Sequence, residues 1–190
     1  MRVGRNSWFV DRGSEAPWRV LIEEGPCSGV RHMAYDRALA GESAWVARFF
    51  RWSPPAVSLG LKQEVPGWLD EKLLCAAGVE LVERPTGGGL ALHGSDLSIA
   101  VVVPMASHAS LQVLIDAVCS SASRLCSELE VPAVVRQDGA RERCLICLAE
   151  PTPYALMMGA RKLAGFALRR TSGSWLIQGS LLINRLPEAL

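Results

Sequence analysis

The chain has 190 residues, 49% of them apolar and 21% charged, and a formal net charge of +1. That is the size and balance of one globular domain with a full core. No dense basic run suggests a nucleic-acid surface, and the longest clearly apolar strand-like run, Leu97 to Val103, is far too short to span a bilayer.

Met1 to Arg12 mixes charges with Trp8 and Phe9 and has no apolar core of the kind a secretory signal needs. Trp18 to Glu23 reads as a first strand. Gly29 to Ala40 reads as a helix with Met33, Ala34 and Ala38 on one side. Val46 to Trp52 and Ala56 to Leu61 read as strands around the Ser53-Pro54-Pro55 turn. Pro66 to Ala77 reads as a short helix, with proline in its first turn and Gly78 at its end. Val79 to Arg84 is a strand running into a glycine loop, and Leu90 to His93 and Leu97 to Val103 continue the sheet. Leu111 to Leu129 is the clearest helix, because Leu111, Leu114, Ile115, Val118, Ala122, Leu125, Cys126 and Leu129 fall three and four apart. Pro132 ends it. Ala133 to Arg136, Cys144 to Leu148, Lys162 to Arg169 and Ser174 to Asn184 read as further strands, the last two joined near Thr171-Ser172-Gly173. No repeat is visible. Strands grouped around a few helices without regular βαβ alternation predict an α+β sheet with helices packed on one side.

Two elements carry chemistry. In Arg84-Pro85-Thr86-Gly87-Gly88-Gly89-Leu90-Ala91-Leu92-His93, three adjacent glycines let backbone approach a ligand closely, because no Cβ intervenes. In Arg161-Lys162-Leu163-Ala164-Gly165, a lysine offers one positive charge to an acyl carbonyl or a phosphate. Cys147, upstream of that lysine, adds a nucleophile. Each has a plainer counterpart: a turn between strands, a solvated strand lysine, a buried thiol. The flanking Arg84, Thr86 and His93 tip the glycine loop toward function. His93 reads equally as a ligand group and as a satisfied core histidine, the plainer reading of Arg84 is an ion pair with a surface carboxylate such as Asp96, and Asp36 by itself reads as a helix surface charge. The remaining cysteines, Cys27, Cys75, Cys119, Cys126 and Cys144, read as small apolar residues of a reduced, cytoplasmic protein. A single C-x-x-C at Cys144 and Cys147 does not make a zinc site, so no metal is expected.

Taken together these segments resemble the lipoate-protein ligase and octanoyltransferase branch of the biotin/lipoate ligase superfamily. Five blocks match in order: His32 to Leu39; Arg51 to Pro55 with Ser58-Leu59-Gly60 and Gln63; Arg84 to Gly89 with His93; Arg161 to Ala167; and Gln178 to Leu182. Cys147 precedes Lys162 by fifteen positions, with Pro151 and Tyr154 between them, and this is similar to the cysteine-dependent octanoyltransferases. Arg37, Ala160, Leu168 and Gly94-Ser95-Asp96 depart from the family pattern. The resemblance implies an α+β catalytic domain related to class II aminoacyl-tRNA synthetases and biotin synthetase, spanning 1–190 without an accessory C-terminal domain.

The same resemblance implies a mechanism. An octanoyl thioester on acyl carrier protein acylates Cys147. A lysine of a lipoyl-domain carrier, such as the glycine cleavage H protein or a 2-oxoacid dehydrogenase E2, then takes the acyl group as an amide. Cys147 and Lys162 would be catalytic, and Arg84, Thr86, Gly87, Gly88, Gly89, His93, Gly165 and Ala167 would bind the acyl group. Transfer from a thioester needs no cofactor. The alternative is a lipoate ligase using ATP and Mg, in which Lys162 and Arg84 meet an acyl-adenylate. A second alternative is a non-catalytic homologue that binds acyl groups or lipoyl domains. No nucleic acid or membrane enters any of these readings.

Overall fold

The computed structural model describes residues 18–107, 109–136 and 152–185. The expected strand at Cys144 to Leu148 lies outside them. Among the described residues, ten strands and three α-helices follow in the order β1 (Arg19–Ile22), α1 (Gly29–Ala40), β2 (Val46–Phe50), β3 (Ala56–Leu59), α2 (Glu71–Ala76), β4 (Glu80–Glu83), β5 (Ala91–His93), β6 (Asp96–Pro104), α3 (Leu111–Glu128), β7 (Val134–Val135), β8 (Leu156–Met158), β9 (Arg161–Arg170) and β10 (Ser174–Leu182). Among the described residues no helix is long and apolar enough to cross a membrane.

Local signals explain the helix boundaries. Ser28 caps α1, its hydroxyl accepting from the Arg31 N–H, and Gly41 follows the last turn. The buried residues Gly29, His32, Met33, Asp36, Leu39 and Ala40 repeat at threes and fours and form one face. Ser110 caps α3 in the same way, and Leu114, Ile115, Val118, Cys119, Ala122 and Cys126 are its buried stripe. The second helix starts later than Pro66. The Asp70 carboxylate accepts from the N–H groups of Lys72 and Leu73, so the cap fixes the start at Glu71. At its other end Gly78 adopts φ +70°, as expected for the stop.

The strands form two sheets rather than one. The large sheet runs β1-β2-β6-β10-β9-β8-β7, with β1 and β2 parallel and the other pairs antiparallel. The small sheet runs β4-β3-β5. The sequence reading carried Leu90 to His93 into the main sheet. Instead β5 pairs with β3, and the chain turns at Gly94 (φ +130°) before β6 enters the large sheet. The α+β class and the mixed sheet hold, but the helices are not confined to one side. Val101, Val103 and Ile177 pack with Leu114 and Val118 of α3. Their neighbours Val102 and Leu176 pack with Leu39 and Ala40 of α1. Consecutive strand residues point to opposite faces, so α1 and α3 cover opposite faces of the large sheet.

Candidate active site

On the α1 side the large sheet presents Ser98 from β6, Gln178 and Ser180 from β10, and Gly165 and Ala167 from β9, placed side by side by the registers Ser98↔Ser180↔Gly165 and Ala100↔Gln178↔Ala167. The small sheet presents Ser58, Ala91 and His93. Between them lies an open slot with Met33, Phe50 and Trp52 among its apolar walls. At Gly165 the strand presents backbone rather than a side chain to the space.

The glycine loop is wrapped around its own arginine. Arg84, buried, donates through Nη2 to the carbonyls of Gly87 (2.8 Å) and Gly89 (2.6 Å). Through Nη1 it donates to the Ser58 carbonyl (3.0 Å) and to Ser58 Oγ (3.2 Å). Gly88 adopts φ +96°, which favours glycine. Gly60, at the end of β3, packs so closely that a Cβ would stand 2.1 Å from the Gly88 carbonyl oxygen, so no side chain fits there without moving the loop. The Gly87 and Gly89 carbonyls are thus turned toward Arg84. Among the described residues none of the three glycine N–H groups donates to a partner.

Two hydrogen-bonded relays hold this loop. In the first, Arg84 donates to Ser58 Oγ, Ser58 stands 2.8 Å from His93 Nε2, and His93 Nδ1 lies 3.0 Å from Asp96 Oδ2. The carboxylate only accepts, so Nδ1 carries the proton and Nε2 is free to accept from Ser58. Asp96 also accepts from the Gly94 N–H and from the hydroxyls of Ser98 and Ser180. Burial pushes its carboxyl up, but the bonds from His93, Ser180 and Gly94 outweigh that and hold it below the usual carboxylate range. Asp96 therefore partners His93, not Arg84. Trp52 stacks on the His93 ring at 3.9 Å and donates to Ser98. The order Ser58, His93, Asp96 is that of a nucleophilic triad. Ser58, however, is fully buried and its oxygen takes an Arg84 N–H, so its job here is to orient the arginine.

The second relay begins with Arg48, 1% exposed on β2. It donates to Asp36 Oδ1 (2.6 Å), Glu23 Oε1 (3.0 Å) and His32 Nδ1 (2.7 Å). His32 Nε2 donates to the Arg51 carbonyl (2.9 Å), so the ring is neutral, in keeping with burial pulling its pKa down. Burial pushes the Asp36 carboxyl up, with Arg48 pulling it the other way. Gln178 Nε2 donates to Asp36 Oδ2 (2.7 Å), which leaves its Oε1 to accept from Thr86 Oγ1 (2.6 Å) in the loop. Asp36 is thus a buried link and no surface charge. Among the described residues every buried side-chain nitrogen and oxygen has a partner. The polar groups around the slot satisfy one another, and an apolar chain can enter without stranding any of them.

Of the predicted residues, the slot brings together Arg84, His93, Gly165 and Ala167, with Thr86 and the three glycines beside it. Lys162 is buried on β9, outside the slot lining, and donates to Thr152 Oγ1 (2.8 Å). It is no solvated strand lysine. Cys147 and Cys144 lie outside the described residues. Cys119 and Cys126 are buried, the Cys119 thiol is pushed up to about 12 by burial and by Asp116, and burial raises Cys126 too, so both stay protonated. Cys75 is exposed, because α2 buries none of its residues. Sequence reasoning gave no role to Arg48, Ser58 or Gln178. A signal existed: Arg48 falls in alternation with Val46 and Phe50, and a charge in register with a core face requires a buried partner.

Comparison with known proteins agrees with this geometry. The pattern of the lipoyl protein ligase A/B catalytic domain matches residues 29–189. The octanoyltransferase LipM of Symbiobacterium thermophilum is 32% identical over 93% of this chain and 72% of its own. That of Anoxybacillus flavithermus is 32% identical over 88% of this chain and 66% of its own. The chain therefore spans about two thirds or slightly more of these curated relatives. Among solved structures, the T. acidophilum protein Ta0514 with bound lipoic acid superposes with a TM-score of 0.73 at 23% identity, over 88% of this chain and 68% of that one. Lipoate-protein ligase A bound with ATP gives 0.69 at 20%, over 93% and 74%. At these identities the structures speak for the fold alone. With the family pattern covering most of the chain and relatives above 30% identity, the chain belongs to the lipoyl protein ligase A/B catalytic domain family.

Proposed function

We propose that this chain is an octanoyltransferase of protein lipoylation, moving an eight-carbon acyl group from a carrier thioester to a lysine of a lipoyl-domain protein. The observation that carries the reading is the glycine loop whose Gly87 and Gly89 carbonyls are held by Arg84, a buried arginine that itself lines the slot between the two sheets together with Met33, Phe50 and Trp52. Relatives covering most of the chain carry the same activity in their names.

The chemistry follows from the parts. The acyl tail lies in the slot, where burial contributes about 0.8 kcal/mol per methylene. The Cys147 thiolate attacks the thioester carbonyl. A carbon–sulfur bond forms, the carbonyl becomes an oxyanion, and the carrier thiol leaves. Free cysteine has a pKa near about 8.5, and a nearby ammonium favours the thiolate; Lys162 supplies that charge and steadies the oxyanion. Glycine N–H groups add donors, each contributing roughly 3 kcal/mol in well-studied enzymes. The neutral acceptor amine then attacks the acyl-cysteine, the carbon–sulfur bond breaks as the amide bond forms, and the proton lost by the amine goes to the departing Cys147 sulfur. The thioester is already activated, so nucleotide has no step to drive. The donor is acyl carrier protein and the acceptor a lipoyl domain, of the H-protein or E2 kind.

Incubation with octanoyl-acyl carrier protein and an apo lipoyl domain, without nucleotide, tests this. The acceptor gains one octanoyl group, and Cys147→Ser abolishes the gain. Modification of the acceptor only when ATP and free lipoate are supplied would overturn the transferase in favour of the ligase.

A further inference from the structure

Lys162 reaches its place through two irregularities of the chain. Regular alternation along β9 would put Lys162 on the side of Ala164, Phe166 and Leu168, which pack toward α3. The register breaks first: Leu156 pairs with Ala164, yet Met157 pairs with Lys162. One extra residue, Leu163, is therefore inserted in β9. Leu163 and Ala164, consecutive in the chain, both pack into the cluster under α3. This is a β-bulge, and it returns Lys162 to the side of Gly165 and Ala167, the slot side.

The second irregularity is Tyr154, a bulky residue at φ +64°. That left-handed conformation costs on the order of 1–2 kcal/mol. Three bonds impose it. The Tyr154 N–H donates to the Arg136 carbonyl (2.8 Å), its carbonyl accepts from the Cys119 thiol (3.3 Å), and its hydroxyl donates to Gln112 Oε1 (3.1 Å). The Ala155 N–H closes the turn onto the Thr152 carbonyl (3.2 Å). The turn brings Thr152 Oγ1 to 2.8 Å from Lys162 Nζ.

We propose that Thr152 is a positioning residue for Lys162 in the acyl transfer, with the Tyr154 turn and the Leu163 bulge as the two halves of the clamp. The role in transfer rests on the octanoyltransferase reading above; the clamp itself does not. A long lysine side chain left alone samples many rotamers, and ordering it costs entropy. A hydroxyl acceptor fixes the direction of the ammonium without itself adding an opposing charge. A fixed direction for the ammonium is the kind of preorganisation that lowers a barrier.

Thr152→Val keeps the shape and removes the acceptor, whereas Thr152→Ser keeps the acceptor. The Val variant lowers kcat for octanoyl transfer about tenfold, as expected for a lost hydrogen bond to a charged group, and leaves KM for the carrier thioester within about twofold. The Ser variant stays within about twofold of the parent in both. A second readout needs no transfer activity. Brief treatment with acetic anhydride at fixed pH, followed by peptide mass analysis, acetylates Lys162 several-fold faster in the Val variant than in the parent or the Ser variant, because the amine loses a partner of its charged form. Equal acetylation in all three proteins, or a Ser variant that behaves like Val, overturns the clamp. Faster acetylation in the Val variant of a protein that never transfers octanoate upholds the clamp and sinks the transferase reading instead.

Discussion

Lys162→Met reduces octanoyl transfer by about 10²- to 10³-fold, the scale seen when one oxyanion donor is removed from an active site, while the protein stays folded. Methionine matches the length of the lysine stem and suits a site that is 7% exposed. The fold loses the bond to Thr152, which is itself partly exposed. Neighbouring Arg161 is exposed and on the hairpin end of β9, so it does not take over. Single-turnover acylation and a melting curve on the same preparation separate the two effects. A Lys162→Met protein with parental turnover would remove this lysine from the chemistry.

Arg48→Met has the opposite signature: it strikes stability first. The guanidinium is shared by Asp36, Glu23 and His32 and is almost wholly buried. Removing one partner of a buried ion pair leaves a charge stranded, at a cost of about 3–5 kcal/mol. For a domain of this size that lowers Tm by roughly 10 °C. Activity falls too, because Asp36 anchors Gln178 and Gln178 holds Thr86 in the loop. Adding Asp36→Leu to Arg48→Met removes the stranded carboxylate and recovers part of the Tm, but not the activity. Thermal melting of the two variants checks this; an unchanged Tm for Arg48→Met would mean that the buried network contributes nothing to the fold.

Much of the fold was legible because its signals are local. The Leu111 stripe defines α3, and α1 keeps its expected bounds, but its buried face runs through His32, Met33, Asp36 and Leu39, while Ala34 and Ala38, expected beside Met33, are exposed. Asp70 outweighed Pro66 as a helix start because a cap supplies two hydrogen bonds and a proline only suits a first turn. Partnering of strands is not local. Nothing in Leu90 to His93 says whether it pairs with β6 or turns back onto β3, and the whole slot depends on that choice. The three-residue β8 was missed because Leu156-Met157-Met158 is too short to show a period. The glycine loop and Lys162 stood out through the resemblance. The residues that hold them, Ser58, Arg48, Gln178 and Thr152, are single polar positions whose purpose appears only when two sheets meet or a strand bulges.

The central claim is that the acyl chain enters the slot between the two sheets and becomes attached to one sulfur. Proteolysis of the protein after exposure to octanoyl-acyl carrier protein, with mass analysis of the fragments, tests it most directly. The octanoyl mass should sit on the peptide containing Cys147 and disappear on treatment with hydroxylamine, which cleaves thioesters. An octanoyl group found on Ser58 or on Lys162, with Cys147 unmodified, would contradict the account.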